Sequence, residues 1–447
     1  MVGISGLSDA GLRAGSLAVF QMVPLMAGNR LSFIADFMGL SYHCLRYLHS
    51  SVGVMAVAQT VGHIVLMSRV RRFNLEIVQE RFGILAGGSL LGLFLISLPF
   101  VRNVLHETFL KLHVGLAFFM FYSLWRHMGA ERHTLRIALM SALGLFAVSS
   151  LLRGARIIYR NFTWKQQWAR ATIFPGNDVM EIQIKVPRPW VIKPGQYLYL
   201  WAPRVSYLSI FQSHPFSIAW WSEDANGRAT TMSLLVEPHH GFTNSLRHKS
   251  NLNHSFRVAI DGPYGRTVDT SRYNTLVLFA TGIGIAALMP LLKSAIKQSK
   301  SATTLVKRIS VVWQLEEESD ERWVASWMNK LLEEDNESKI LFSSLYVAQR
   351  FDNDEDEENN YKGKVPIPYG KRVKKLFARA DIREIMAKEM QERRGRTLVA
   401  VSAEGKVRDT LRKLMREYIE KDVDIQELDF QPHGWHKKEM VKHKGVI

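Results

Sequence analysis

HSSVGVMAVAQTVGH (residues 49–63) and HVGLAFFMFYSLWRH (residues 113–127) decide how this chain is read. Each stretch opens and closes on a histidine, 14 residues apart, inside an apolar run. At 3.6 residues per turn, that spacing is about 3.9 turns, so both imidazoles face the same way, roughly 21 Å apart along the axis. Two such helices running in the same direction, with a return helix between them, set His49 level with His113 and His63 level with His127. Imidazole is a good axial ligand for haem iron, and two of them leave no open position for oxygen, which suits electron transfer. Ionisable residues inside a membrane are functional by default because burying them is expensive. A single histidine in an apolar helix is more often a packed core residue. With 15 histidines in 447 residues, however, a repeated spacing of 14 in two separate runs is hard to reach by chance. His43 and His106 sit at the edges of their runs, break the matched spacing and read as interfacial.

The runs around these stretches define a membrane domain. Tyr47–Ser68 and Phe82–Val101 carry no Asp, Glu, Lys or Arg over 22 and 20 residues. Each can cross a hydrocarbon core of roughly 30 Å at about 1.5 Å per residue. Leu112–Trp125 and Ile137–Leu152 are shorter uncharged runs and Ala14–Gly28 is the weakest, which makes about five helices. The mean hydropathy of −0.05 hides this split between an apolar first third and a charged remainder. The N-terminus lacks the basic start and long apolar stretch of a signal peptide. The single cysteine excludes a disulfide framework and any four-cysteine zinc or iron–sulfur site.

The net charge of +17 first suggests nucleic acid or an anionic membrane surface. No compact basic module interleaved with aromatics is present, so no nucleic-acid partner is expected; the lipid bilayer is. Basic residues cluster instead after the last apolar run (Arg153, Arg156, Arg160, Lys165, Arg170) and at the C-terminus (Lys437, Lys438, Lys442, Lys444). The first cluster reads as a cytoplasmic stop that places the tail inside. Arg69, Arg71, Arg72 and Arg81 then fall on the opposite side, against that rule.

From Thr163 to about Val268 the pattern is strand-like. Val179–Val186, Tyr197–Trp201 and Ala229–Val236 lie between the turn signals Pro175-Gly176-Asn177 and Lys193-Pro194-Gly195 and others like them, which fits a small antiparallel barrel. It contains His214-Pro215-Phe216-Ser217 and then Gly241-Phe242-Thr243, where a Gly-x-Thr at a helix start offers N–H groups and a hydroxyl to a phosphate. Next come Gly262-Pro263-Tyr264-Gly265 and the strand Thr275–Ala280. Thr281-Gly282-Ile283-Gly284 follows and leads into a helix over Leu288–Ile296. Strand, glycine turn and helix form the context of a dinucleotide fingerprint. Ile309–Trp313 continues the α/β pattern. An ordinary tight turn accounts equally well for one glycine pair taken alone.

In order, these residues resemble the transmembrane ferric reductases, or metalloreductases, of fungi, relatives of the NADPH oxidases, from about Gly28 to Trp435. The resemblance implies that His49, His63, His113 and His127 hold two b-type haems and that His214, Pro215, Phe216 and Ser217 contact FAD. Gly241 and Thr243 match a second FAD contact. Gly262, Pro263, Tyr264 and Gly265, with Thr281, Gly282 and Gly284, match the nicotinamide-nucleotide motifs. Phe430-Gln431-Pro432…Trp435 resembles the family's C-terminal aromatic motif, with Trp435 the aromatic that covers the flavin. Three departures stand out. Thr281 replaces the first glycine of Gly-Gly-x-Gly. Ser402-Ala403-Glu404-Gly405 stands where the family has Cys-Gly-Pro. Gln314-Leu315-Glu316 lacks the arginine that favours a 2′-phosphate, so NADPH over NADH rests on the resemblance. The family also carries one or two more N-terminal spans.

The expected architecture is a transmembrane bis-haem helical bundle (1–155), an FAD-binding antiparallel β-barrel (156–270) and a ferredoxin-reductase-like, doubly wound α/β NAD(P)-binding domain (271–435). The last carries a solvated acidic insertion near 351–364, and a basic tail (436–447) follows. The resemblance implies a plasma-membrane oxidoreductase passing electrons from cytosolic NADPH (or NADH) by FAD and two haems to an extracytoplasmic ferric or cupric chelate. The alternatives are a superoxide-generating oxidase and a degenerate haem-binding relative without activity. No catalytic acid or base is required, and the sequence leaves the oligomeric state open.

Overall fold

The computed structural model describes residues 6–27, 30–104, 106–165, 167–176, 178–203, 205, 209, 213–238, 241–250, 255–300, 305–348, 367–369, 372–418 and 421–428. The chain divides into two compact units, Met1–Ala155 and Arg156–Ile447. The acidic insertion near 351–364, the basic tail and Trp435 lie outside the described residues.

The first unit is helical: α1 (Leu7–Leu25), α2 (Leu31–Met38), α3 (Tyr42–Val70), α4 (Val78–Ile96), α5 (Pro99–Val104), α6 (His106–His127) and α7 (His133–Asn161), whose last turns belong to the second unit. Its core is small, built from Met22, Ala56, Leu90, Leu93, Met120, Leu139 and Ala142 among others. Its outer faces stay apolar, with Val54, Val61, Leu91, Phe119 and Leu151 all exposed. Water penalises such a surface, whereas lipid accepts it, and a helix satisfies its own backbone hydrogen bonds inside lipid. Three helices among the described residues are long and apolar enough to cross a membrane, Tyr42–Val70, Thr108–His127 and His133–Asn161, against the five expected. The run Phe82–Val101 is not one helix: α4 stops at Ile96 and Pro99 opens α5. Proline has no N–H to continue the ladder and clashes with the turn before it, but it is tolerated at a helix start. The loop from α3 to α4 is closed by the buried Glu80, which pairs with Arg71 at 3.0 Å and accepts from the Asn74 amide.

The second unit opens with a two-stranded ribbon, β1 (Phe162–Thr163) and β2 (Gln167–Trp168). Eight antiparallel strands follow: β3 (Arg170–Phe174), β4 (Met180–Trp190), β5 (Tyr197–Trp201), β6 (His214–Ser217), β7 (Trp220–Glu223), β8 (Ala229–Val236), β9 (Phe256–Arg257) and β10 (Ala259–Tyr264), with helix α8 (Phe242–Ser250) between β8 and β9. They were expected to form one barrel; their hydrogen bonds make two sheets, β10-β5-β6 and β7-β8-β4-β3-β9. Both sheets contribute to one core, with Ile182, Ile184, Met232 and Leu234 from the larger and Leu198, Leu200 and Ile260 from the smaller. Along β4 the buried Ile182 and Ile184 alternate with Glu181, Gln183 and Lys185, as a strand with one face in the core requires.

The remaining strands are β11 (Thr275–Thr281), β12 (Arg308–Leu315), β13 (Leu341–Val347), β14 (Ile367–Tyr369), β15 (Val373–Leu376), β16 (Thr397–Ser402) and β17 (Val423–Glu427). They form a seven-stranded sheet in the order β14-β15-β13-β12-β11-β16-β17, parallel apart from the edge strand β14. Helices α9 (Ile285–Ser299) and α10 (Ala325–Glu334) cover one face, α11 (Ile382–Glu392) and α12 (Gly405–Met415) the other. In β11, Leu276 and Leu278 enter the first core while Val277 and Phe279 enter the second. A strand buried on both faces therefore reads as a continuous apolar run. This is the doubly wound arrangement expected from the sequence. It joins the flavin half through Trp220 stacked on Trp327 at 5.6 Å and 3°. Lys293 adds to that contact, donating to the Trp221 carbonyl at 2.5 Å with its ammonium over the rings of Trp220 and Trp221. Burial pushes its pKa down to about 8.

Asn161, at the end of α7, is fully buried and completes the smaller sheet from outside it. Its amide donates to the Ile260 carbonyl at 2.6 Å and accepts from the Ile260 N–H at 2.7 Å, as a neighbouring strand would. Asn161→Ala strands both backbone groups, each costing about 1–3 kcal/mol when buried without a partner. A loss of about 2–4 kcal/mol is expected, read as a lower urea midpoint of tryptophan fluorescence in detergent-solubilised protein. Asn161→Asp, which keeps the acceptor alone, should fall between.

Candidate functional site

In the membrane unit, α3 carries His49 and His63 and α6 carries His113 and His127. The ring centroids of His49 and His113 stand 6.2 Å apart, and those of His63 and His127 6.3 Å apart. Two imidazoles bound end-on to one metal through bonds of about 2.0 Å bring their ring centres roughly 6 Å apart. Both pairs therefore match the donor type and the separation that an axially ligated haem iron needs. His63 Nδ1 donates to the Gly11 carbonyl and His127 Nδ1 to the Gln79 carbonyl, each at 2.8 Å. A carbonyl can only accept, so these bonds fix the tautomer and leave each Nε2 free for a metal. The approach depends on glycines: a Cβ on Gly15 would stand 2.8 Å from His63 Nδ1, and one on Gly83 2.6 Å from His127 Nδ1. Sequence reasoning missed Gly11, Gly15, Gln79 and Gly83. The only trace was glycine in helices, where it lowers propensity without evident benefit.

In the second unit, the two flavin motifs come together. His214, the first residue of β6, stacks on Phe242, the first residue of α8, at 4.2 Å and 17°. Pro215, which has no N–H, sits on the edge strand of its sheet, where none is needed. Gly241 has φ +86°, a conformation open to glycine at little cost, and turns the chain into α8 beside Thr243. Phe216 packs against the core shared by the two sheets, and Ser217 pairs with Tyr197 of β5.

Gly262, Pro263, Tyr264 and Gly265 lie on the opposite edge of that same sheet. Tyr264 is fully buried, its hydroxyl donating to Asp261. Arg156 donates to the Pro263 carbonyl at 2.7 Å and lies over the Tyr264 ring. A Cβ on Gly265 would stand 2.7 Å from the Gly195 carbonyl, so close packing alone demands that glycine. Gly262, Pro263 and Tyr264 are buried, and Gly265 is partly exposed.

Thr281, Gly282 and Gly284 end β11 where the strand order reverses, since β12 lies on one side of β11 and β16 on the other. Such a switch point is where open α/β sheets bind their ligands. Gly282 has φ +48°, and its carbonyl accepts from Trp313 Nε1 at 2.9 Å. The Thr281 hydroxyl accepts from the Glu404 N–H at 2.8 Å, tying the fingerprint turn to the Ser402–Gly405 loop. The Ser402 hydroxyl is buried with no hydrogen-bond partner among the described residues. Beyond β12, the Asp320 carboxylate accepts from the amides of Glu316 and Glu317 at 3.2 and 3.0 Å. Burial pushes its pKa up to about 6.

Three family models match in succession: a ferric reductase like transmembrane component over residues 14–124, an FAD-binding domain over 163–268 and a ferric reductase NAD binding domain over 273–416. With the histidine pairs and the switch point, they define a membrane flavoprotein of the pyridine-nucleotide-linked class. Two of the three matching models are of ferric reductase type, and together the three extend over residues 14–416 in the order transmembrane component, FAD-binding domain, NAD binding domain. The chain is 27% identical over 290 residues to ferric reductase transmembrane component 3 of Saccharomyces cerevisiae, covering 61% of this chain and 38% of that one. It is 26% identical over 318 residues to ferric/cupric reductase transmembrane component 2 of the same yeast, covering 66% and 42%. Respiratory burst oxidase homolog protein B of Solanum tuberosum matches at 25% over 285 residues, covering 54% and 32%. The chain thus spans about two fifths or less of the length of these curated relatives.

A Cβ on Gly284 would stand 2.0 Å from the Ser402 carbonyl. Gly284→Ala should therefore force the fingerprint turn away from β16 and weaken NAD(P)H binding tenfold or more, measured by nucleotide titration. For Asp320, a native pKa of about 6 against the ordinary 3.8 means the folded protein holds this proton more tightly. Its stabilising contribution is present below pH 3.8 and lost as pH rises through about 6. Asp320→Asn should flatten that limb of a melting-temperature profile taken between pH 4 and 7.

Proposed function

We propose that this chain is a transmembrane oxidoreductase that moves electrons from cytosolic NAD(P)H, using FAD and two b-type haems, to a ferric or cupric chelate on the far side. The observation that carries the reading is the pair of imidazole separations, 6.2 and 6.3 Å, between α3 and α6. When bound, FAD takes up electrons in pairs and releases them singly, and each haem iron carries one at a time. The chain's own residues bind and align these groups. His214 and its neighbours on β6, with Gly241 and Thr243 at the start of α8, would hold FAD, the helix N-terminus facing its pyrophosphate. Trp435 would cover the flavin. Thr281, Gly282 and Gly284, with the backbone of Gly262–Gly265, would hold the nicotinamide nucleotide. His49 with His113 and His63 with His127 would each hold one haem, and imidazole donors would suit one-electron transfer there.

The five-span count is supported by α1 and α4, each 19 residues long. That is about 28 Å of helix, close to the thickness of a hydrocarbon core. The core shared by the two sheets supports a barrel. The elements support boundaries near 155 and 270, and the boundary near 435 lies outside the described residues. The basic residues Arg153, Arg156, Arg160 and Arg170 support a cytosolic tail, and relatives named ferric and ferric/cupric reductases support an iron or copper substrate; the membrane proposed is the plasma membrane. The match to a respiratory burst oxidase homologue favours a second reading in which dioxygen is the acceptor.

An anaerobic optical spectrum of detergent-extracted protein with FAD tests the proposal. Two six-coordinate b-haems per chain, reduced on adding NADPH or NADH, are expected, and His49→Ala or His127→Ala should each leave one. Haem that answers to dithionite but to neither nucleotide would leave a degenerate relative, and no haem at all would defeat the reading. Under air, reduction of a ferric chelate that superoxide dismutase abolishes would point to the oxidase.

A further inference from the structure

The two histidine pairs have different surroundings. His63 and His127 each donate Nδ1–H to a backbone carbonyl, Gly11 of α1 and Gln79 of α4. His49 Nδ1 and His113 Nδ1 are buried with no hydrogen-bond partner among the described residues. Two different helices deliver the carbonyls, and each carries a glycine four residues further on, Gly15 and Gly83, that lets the imidazole in. A carbonyl accepting from Nδ1–H fixes ring orientation and makes the imidazole a stronger donor. A stronger donor stabilises the higher oxidation state of the iron it binds.

We infer that the Gly11 and Gln79 carbonyls, made reachable by Gly15 and Gly83, are positioning groups that give the His63/His127 site a lower reduction potential than the His49/His113 site. The inference rests on the haem reading above. It makes the two sites, identical in ligand type, unequal by design of the helices behind them. An electron then rests more readily at the His49/His113 level and is more strongly reducing at the His63/His127 level, where an external acceptor would draw it.

Gly15→Ala and Gly83→Ala test this, because the added Cβ would fall closer to the ring than real Cβ atoms come. The ring must then give up or stretch its carbonyl bond. Alanine is the better helix former, so loss of the helix does not explain an effect. Gly62→Ala in α3 and Gly88→Ala in α4, where nothing lies within 4 Å of the new Cβ, are the controls. The readout is a potentiometric titration of the haem absorbance, with the low-spin ferric resonance as a second signature. Two waves are expected in the unaltered protein. Each test variant should raise the lower wave, and the same wave in both, by about tenfold in its reduction equilibrium, or about 59 mV for one electron. The upper wave and both controls should stay in place. Waves that do not move, that move together, or that move one each in the two variants would overturn the inference. If a test variant releases one haem while Gly88→Ala keeps both, retention of the upper wave supports the inference and retention of the lower overturns it. A protein without haem would instead defeat the reading on which the inference stands.

Discussion

Two imidazoles can share one metal only if the helices that carry them lie side by side and run in step. That constraint organises the membrane unit. Because His49 meets His113 and His63 meets His127, α3 and α6 must point the same way. A helix must then bring the chain back between them, and α4 does so. The rings need room and a fixed tautomer, which explains why α1 and α4 carry glycines that a helix would otherwise avoid. Glu80 closes the turn from α3 to α4 against Arg71 and Asn74, one residue from the carbonyl that holds His127. Ligand pair, return helix and loop closure are thus parts of one geometric requirement.

The second unit answers to a different requirement, the joining of an FAD-binding and an NAD-binding domain. At the flavin end, the edge strand β6 and the start of α8 meet through the His214–Phe242 stack. At the nucleotide end, the reversal of strand order opens a crevice beside Thr281–Gly284. The departure at Thr281 has a local use: its hydroxyl holds the Glu404 amide, a bond that glycine cannot make. Ser402, in the place of the family's cysteine, keeps a buried hydroxyl beside that junction. The Trp220–Trp327 stack and Lys293 fix the two halves to each other.

Much of this was legible in the sequence, for reasons that differ by element. The histidine pairing follows from helical period alone, since 14 residues fix both the face and the height. The nucleotide sheet was legible because parallel strands buried on both sides make unbroken apolar runs such as Thr275–Ala280, followed by a glycine turn. The antiparallel half was less so, because strand alternation shows which face is buried but not which strand pairs with which. Two sheets and one barrel have the same alternation. α4 stops at Ile96, inside the uncharged run Phe82–Val101, because Pro99 interrupts the backbone ladder and a lack of charge does not report that. Gly15 and Gly83 were invisible as functional positions because their role is a contact with another helix, 48 and 44 residues away, which no local pattern encodes. Tyr264 belongs to a motif that was legible in the sequence, whereas its burial beneath Arg156 was not, because the two residues lie far apart in the chain.

The vertical separation of the two histidine pairs has an electrical consequence. A charge that passes between levels roughly 21 Å apart crosses about two thirds of a hydrocarbon core of roughly 30 Å. In a membrane holding 100 mV, that passage is worth about 1.5 kcal/mol per electron. With the interior negative, the field drives electrons outward. Each turnover of the proposed enzyme is therefore a small current, and its rate is tied to how quickly the cell lets a compensating ion follow.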